Sequence, residues 1–104
     1  MAVKQTLTFI PSNATYKNME EIEAASMAVC PSSFHDYLDS WRASYVAQSF
    51  FDIETQTFTV VKNWVFTEDY DSYKSGVSDG EKIYSAYTEA GWTIKVEEEY
   101  LDLR

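Results

Sequence analysis

Between Thr57 and Ser75 the apolar period changes, without a break, from a strand's to a helix's. Phe58, Val60, Trp64 and Phe66 alternate with Thr57, Thr59, Val61, Asn63 and Val65, which predicts a strand. Both phases carry apolar residues, so the strand is expected at the centre of a sheet, covered on both faces. Thr67 then stands where a helix wants its N-cap. Glu68, Asp69 and Asp71 follow as acids in the first turn, where the helix dipole favours them. Tyr70 and Tyr73 lie three apart, on one side of that turn, and are expected to face the sheet together.

The rest of the chain alternates in the same way. Residues 3–10 put Val3, Gln5, Leu7 and Phe9 on one face and Lys4, Thr6, Thr8 and Ile10 on the other, a first strand closed by Pro11-Ser12-Asn13. Asn18 with Glu21 opens a helix whose inner stripe is Met19, Ile22, Ser26 and Val29, and Pro31 stops it. Ser32 and Ser33 can cap a second segment with Phe34, Leu38, Trp41 and Tyr45 at helical spacing. Residues 46–53 return to a strand period, and Asp52 to Gln56 read as a hairpin connection. Gly76 breaks the helix after Tyr73. Ser78-Asp79-Gly80-Glu81 is a capping arrangement for a last helix with Ile83, Ala86, Tyr87 and Ala90 inside. Gly91 ends that helix, and Trp92, Ile94 and Val96 begin the final strand. Strand, helix, strand, strand, helix, strand is the order of a ferredoxin-like α+β domain, with helices on one face of an antiparallel sheet. Residues 1–104 are expected to form one such domain.

Composition narrows the partners. Seventeen acids against eight bases give a net charge of −9, with no basic cluster, so nucleic acid and anionic membranes are not expected partners. A non-catalytic acidic module that engages a basic partner, or mimics nucleic acid, is the alternative this charge allows. Cys30 is the one cysteine, which excludes an internal disulfide. Residues 1–20 show no basic region followed by an apolar core, so the chain is expected to be soluble and cytoplasmic. Asn13-Ala14-Thr15 fits a glycosylation acceptor, discounted in that setting.

A tryptophan at a strand end, then acids, then aromatics in the next helix (Trp64, Glu68, Asp69, Tyr70, Tyr73 and Ser75) resembles the dimeric α+β barrel superfamily, which includes antibiotic-biosynthesis and haem-degrading monooxygenases. The resemblance implies that the helix-free sheet face pairs with a second subunit. Val61, Val65, Thr6, Thr8 and Ile10 give that face an apolar content consistent with a homodimer. It also implies a cofactor-free monooxygenase as the candidate activity, using an asparagine, the tryptophan and a tyrosine: Asn63, Trp64 and Tyr70 are of those types, although Asn63 alternates to the face opposite Trp64. Haem degradation is not expected, because the superfamily's iron-ligating histidine is missing from the last helix, which offers Tyr84 and Tyr87, and the chain's single histidine is His35. No cofactor and no metal are expected: His35-Asp36 has no further histidine, and Glu97-Glu98-Glu99 points to alternate sides of a strand.

Polar residues in apolar phase mark the candidate site. Gln5 shares a face with Leu7 and Phe9, Lys62 with Val60 and Trp64, and Glu98 with Val96 and Tyr100. With the first strand between the third and the last, the three fall in one row, where Gln5 could bridge Lys62 and Glu98. The row is expected to floor a pocket for a small aromatic or apolar ligand, walled by Trp64, Phe66, Tyr70 and Tyr87.

Overall fold

The structure is a computed structural model that describes residues 2–12, 15–30, 32–76 and 80–101. Four strands form one antiparallel sheet: β1 (Ala2–Pro11), β2 (Tyr45–Asp52), β3 (Thr57–Trp64) and β4 (Trp92–Leu101). Their spatial order is β2-β3-β1-β4, so β1 and β3 are central. The helices are α1 (Met19–Val29), α2 (Ser32–Asp39), α3 (Thr67–Gly76) and α4 (Gly80–Glu89), with a short 3₁₀ turn at Arg42–Ser44. This is the ferredoxin-like α+β fold, with the sheet left open. Among the described residues no helix is long and apolar enough to cross a membrane. The predicted stop at Pro31, the Asn13-Ala14 positions and the Ser78-Asp79 capping pair lie outside the described residues, as do the side chains of Ser33, Glu81, Ile83 and Tyr84.

Period-2 patterning sets the register. Val3, Gln5, Leu7 and Phe9 stand opposite Trp64, Lys62, Val60 and Phe58 on one side. On the other side they face Tyr100, Glu98, Val96 and Ile94. All these residues lie on the face the helices cover, and burial divides them into two clusters. Phe9, Phe58, Ile22, Tyr87 and Trp92 pack beneath α1 and α4. Val3, Trp64, Tyr70 and Tyr73 pack beneath α3, with Tyr37, Leu38 and Trp41 against them. Trp64 is the centre of the second cluster, with ring centroids of Tyr45, Tyr73 and Tyr70 at 4.8, 5.0 and 5.4 Å. Buried rings of this kind carry much of a small core.

Local chemistry fixes most boundaries. Asn18 Oδ1 accepts from the Glu21 N–H at 3.0 Å, while Glu21 reaches back to the Lys17 N–H at 2.8 Å, so the cap of α1 forms one residue wider than the expected box. Asp52 Oδ1 accepts from the Glu54 N–H at 3.0 Å and shapes the hairpin, which closes with Gln56 at φ 54°. Gly91, at φ 88°, takes the left-handed position after α4, where a side chain would be strained.

Several expectations need correction. β3 ends at Trp64, because Val65 turns away to donate its N–H to the Ser44 carbonyl at 3.1 Å; Phe66 is therefore not a strand residue and stands exposed. Thr67 begins α3 instead of capping it, and its buried hydroxyl has no partner among the described residues; the Phe66 carbonyl accepts the first helical bond, from the Tyr70 N–H. Met19 and Ala90 point to solvent instead of inward. Helix α2 stops at Asp39, so Trp41 and Tyr45 reach the core from a turn and a strand.

Candidate ligand-binding cleft

The two clusters leave a gap between them. A cleft of about 270 Å³ lies over the middle of the sheet, beneath α1 and α2. Its walls are Leu7, Phe9, Phe34, Leu38, Phe58 and Val60. The edge strand explains the opening. Tyr45, Ala47, Ser49 and Phe51 are the β2 residues on the helix face, paired with Trp64, Lys62, Val60 and Phe58. Bulky rings stand at both ends and small side chains in the middle, so the volume above Lys62 and Val60 is left unfilled from that edge.

Lys62 is the charged residue that β3 directs into this space. It is 8% exposed, and its ammonium lies 4.9 Å from the Tyr45 ring centroid. Among the described residues no hydrogen bond or ion pair reaches it. Burial lowers its pKa to about 8; the Cys30 sulfur pulls the other way and Arg42 adds to the lowering. Cys30 lines the same cleft, and burial pushes its thiol up despite Tyr87 and Lys62. A thiol so placed stays protonated and is a poor nucleophile. Tyr87 closes the α4 side, donating to the Ser26 carbonyl at 2.9 Å, with the Ser26 hydroxyl at 3.1 Å. Burial foremost pushes the Tyr87 phenol up to about 12, against the Ser26 hydrogen bond. His35 and Met27 also line the cleft, and the His35 ring hydrogen-bonds the Met27 carbonyl at 3.1 Å.

The register places Lys62, Gln5 and Glu98 side by side in one row. Their side chains nevertheless diverge, and the expected bridge does not form. Gln5 turns its oxygen to the Trp64 indole N–H at 3.2 Å, because a buried indole needs an acceptor and Gln5 offers the near one. Glu98 sits on the edge strand, where Lys74 of α3 reaches it at 3.0 Å and also meets the Tyr100 hydroxyl at 3.0 Å. Burial opposes the Glu98 charge, but hydrogen bonds from Lys74, Tyr70 and Tyr100 outweigh it and hold the carboxyl below its ordinary value.

Of the residues expected around the pocket, Gln5, Lys62 and Tyr87 line the cleft. Trp64 and Tyr70 are core residues of the α3 cluster, and Phe66 is on the surface. Tyr70 is buried, and burial and Glu98 raise its phenol far above the ordinary range. Asn63 is exposed on the face opposite Trp64, so the asparagine–tryptophan pair is not brought together. Sequence reasoning missed Cys30, Phe34, His35 and Leu38 as lining residues. The signal was present in β2, where Ala47 and Ser49 interrupt a row of rings. Among the described residues no group of histidine, cysteine or carboxylate side chains could hold a metal ion.

No known family model matches the chain, and no curated protein matches it. Two crystal structures share its shape. Protein SO0527 from Shewanella oneidensis is 12% identical with a TM-score of 0.51, over 94% of this chain and 90% of that one. A conserved protein from Methanosarcina mazei Go1 is 10% identical with a TM-score of 0.52, over 92% and 90%. At such identity the likeness is one of fold, and it agrees with the ferredoxin-like topology read from the strand order.

Proposed function

We propose that this chain is a small-ligand-binding protein of the dimeric α+β barrel type, which takes a compact aromatic or apolar molecule between sheet and helices. The observation that carries this reading is the cleft itself: apolar walls, a volume of about 270 Å³ and one buried cation at its floor. Binding sites are typically concave and apolar with a few convergent polar groups, and about 150 Å³ already admits benzene. The cleft therefore suits a single ring with a short substituent. A second copy covers the open sheet face in this reading, supported by Val46 and Phe50 exposed there.

Ser49→Phe tests the cleft without touching Lys62. From β2, next to Val60, a ring at position 49 would occupy the gap left by the small side chains. Isothermal titration with a panel of single-ring phenols and phenylalkanoates is expected to find a binder in the wild type. Ser49→Phe should weaken it by about tenfold or more at unchanged fold stability. Wild-type silence across the panel, or equal binding by the variant, would count against the cleft.

A further inference from the structure

We infer that the cleft selects ligands bearing one carboxylate, which pairs with the Lys62 ammonium, an inference that rests on the cleft being a ligand site. Three observations carry it. Lys62 is 8% exposed, its ammonium lies 4.9 Å from the Tyr45 ring centroid, and among the described residues no carboxylate meets it. A buried cation without a counterion is costly, and a ligand anion is the group that would relieve it.

The nearby acids are engaged elsewhere. Asp39 holds Arg42 at 2.9 Å, Glu98 holds Lys74 at 3.0 Å, and Glu23, the acid that lines the cleft, stands exposed on α1. Arg42 lines the same cleft but is already paired with Asp39, so Lys62 is the lining cation left without a carboxylate among the described residues. A phosphate is a poorer match, since a dianion calls for several converging donors and the buried floor supplies one ammonium. The walls of Leu7, Phe34, Leu38 and Val60 would take the apolar body, at a volume suited to a ring with a short chain. Burial holds the Lys62 pKa at about 8, so the ammonium still predominates at neutral pH.

Titration calorimetry at pH 7 with 4-phenylbutyrate and its neutral analogue 4-phenylbutan-1-ol separates charge from shape. The acid is expected to bind about tenfold tighter than the alcohol. Lys62→Met should abolish that preference, leaving acid and alcohol bound with equal affinity. Amide shifts on titration should centre on residues 60–62. Equal affinity of acid and alcohol in the wild type, or a preference that survives Lys62→Met, would overturn carboxylate selection and leave the cleft as a ligand site. Binding of neither probe would overturn both readings. The wild-type comparison decides alone should Lys62→Met fail to fold.

Discussion

Lys62 is where the chain accepts a cost in stability. Its folded pKa of about 8 lies below the value of about 10.4 for a free lysine, so between those limits the unfolded chain binds more protons than the folded one. Stability must then rise with pH through that window, because deprotonation releases the buried charge. The full penalty, on the order of 3 kcal/mol, applies below pH 8. Tyr87, pushed up to about 12, and Tyr70, higher still, work in the opposite sense once free tyrosines ionise near pH 10. Urea unfolding between pH 7.5 and 9.5 should therefore show a gain of at most about 2 kcal/mol in the wild type, reduced by Cys30, whose raised thiol pKa works in the opposite sense as the unfolded thiol ionises. Lys62→Met should lose that gain, with stability declining over the same range as the unfolded Cys30 thiol ionises, and should be more stable than the wild type at pH 7.5. A wild-type profile that does not differ in slope from that of Lys62→Met would mean that water reaches the ammonium freely. Gln5 shows the complementary case, a polar residue in a core position whose partner, the Trp64 indole, repays its burial.

The order of elements could be read from periodicity because β1 and β3 alternate cleanly, and β1 between β3 and β4 follows from that order. The helix termini were legible only where a side chain does the capping, as Asn18 does for α1. Thr67 is the right residue type in the right place, yet Val65 leaves the strand for Ser44 and shifts the start of α3, a tertiary contact no local pattern reveals. The cleft was hidden for a similar reason: expectation rested on large residues, whereas the opening comes from Ala47 and Ser49. The junction of α2 and α3 is equally non-local. Tyr37 donates its hydroxyl to the Tyr73 carbonyl at 2.8 Å and stacks on the Tyr73 ring at 5.7 Å. Its oxygen lies where a Cβ on Gly76 would sit, so the two would collide. Gly76→Ala is thus expected to destabilise by about 1–3 kcal/mol, since the helix gain from alanine is smaller than the cost of displacing a packed ring. In a Tyr37→Phe background, which removes the colliding oxygen, Gly76→Ala should cost clearly less. Equal costs in the two backgrounds, by thermal or urea unfolding, would show that α3 shifts as a whole to make room.

The open face gives the molecule a second polarity. Opposite the helices, β2 and β3 present Val46, Phe50 and Val61, while β1 and β4 present Lys4, Lys95, Glu97 and Glu99. Val46 and Phe50 are 62% and 55% exposed, a large apolar fraction for a surface without a partner. In a twofold dimer the same patch meets itself, so any substitution there acts twice in one interface. Phe50→Glu removes two rings from the contact and buries two like charges in their place. Each lost phenyl is worth about 1.5–3 kcal/mol of burial, so the dimer constant should weaken by at least roughly hundredfold. The helix-covered core lies on the other side of the sheet, so the far-ultraviolet circular dichroism of the variant should match the wild type. Light scattering on a sizing column, run as a dilution series, reads the outcome directly. A wild type that dimerises and a Phe50→Glu variant that stays monomeric at the same concentration support the covered face. A wild type that is monomeric at every concentration shows instead that the sheet carries this apolar surface bare, and the barrel-type assembly falls while the ligand cleft on the opposite face stands.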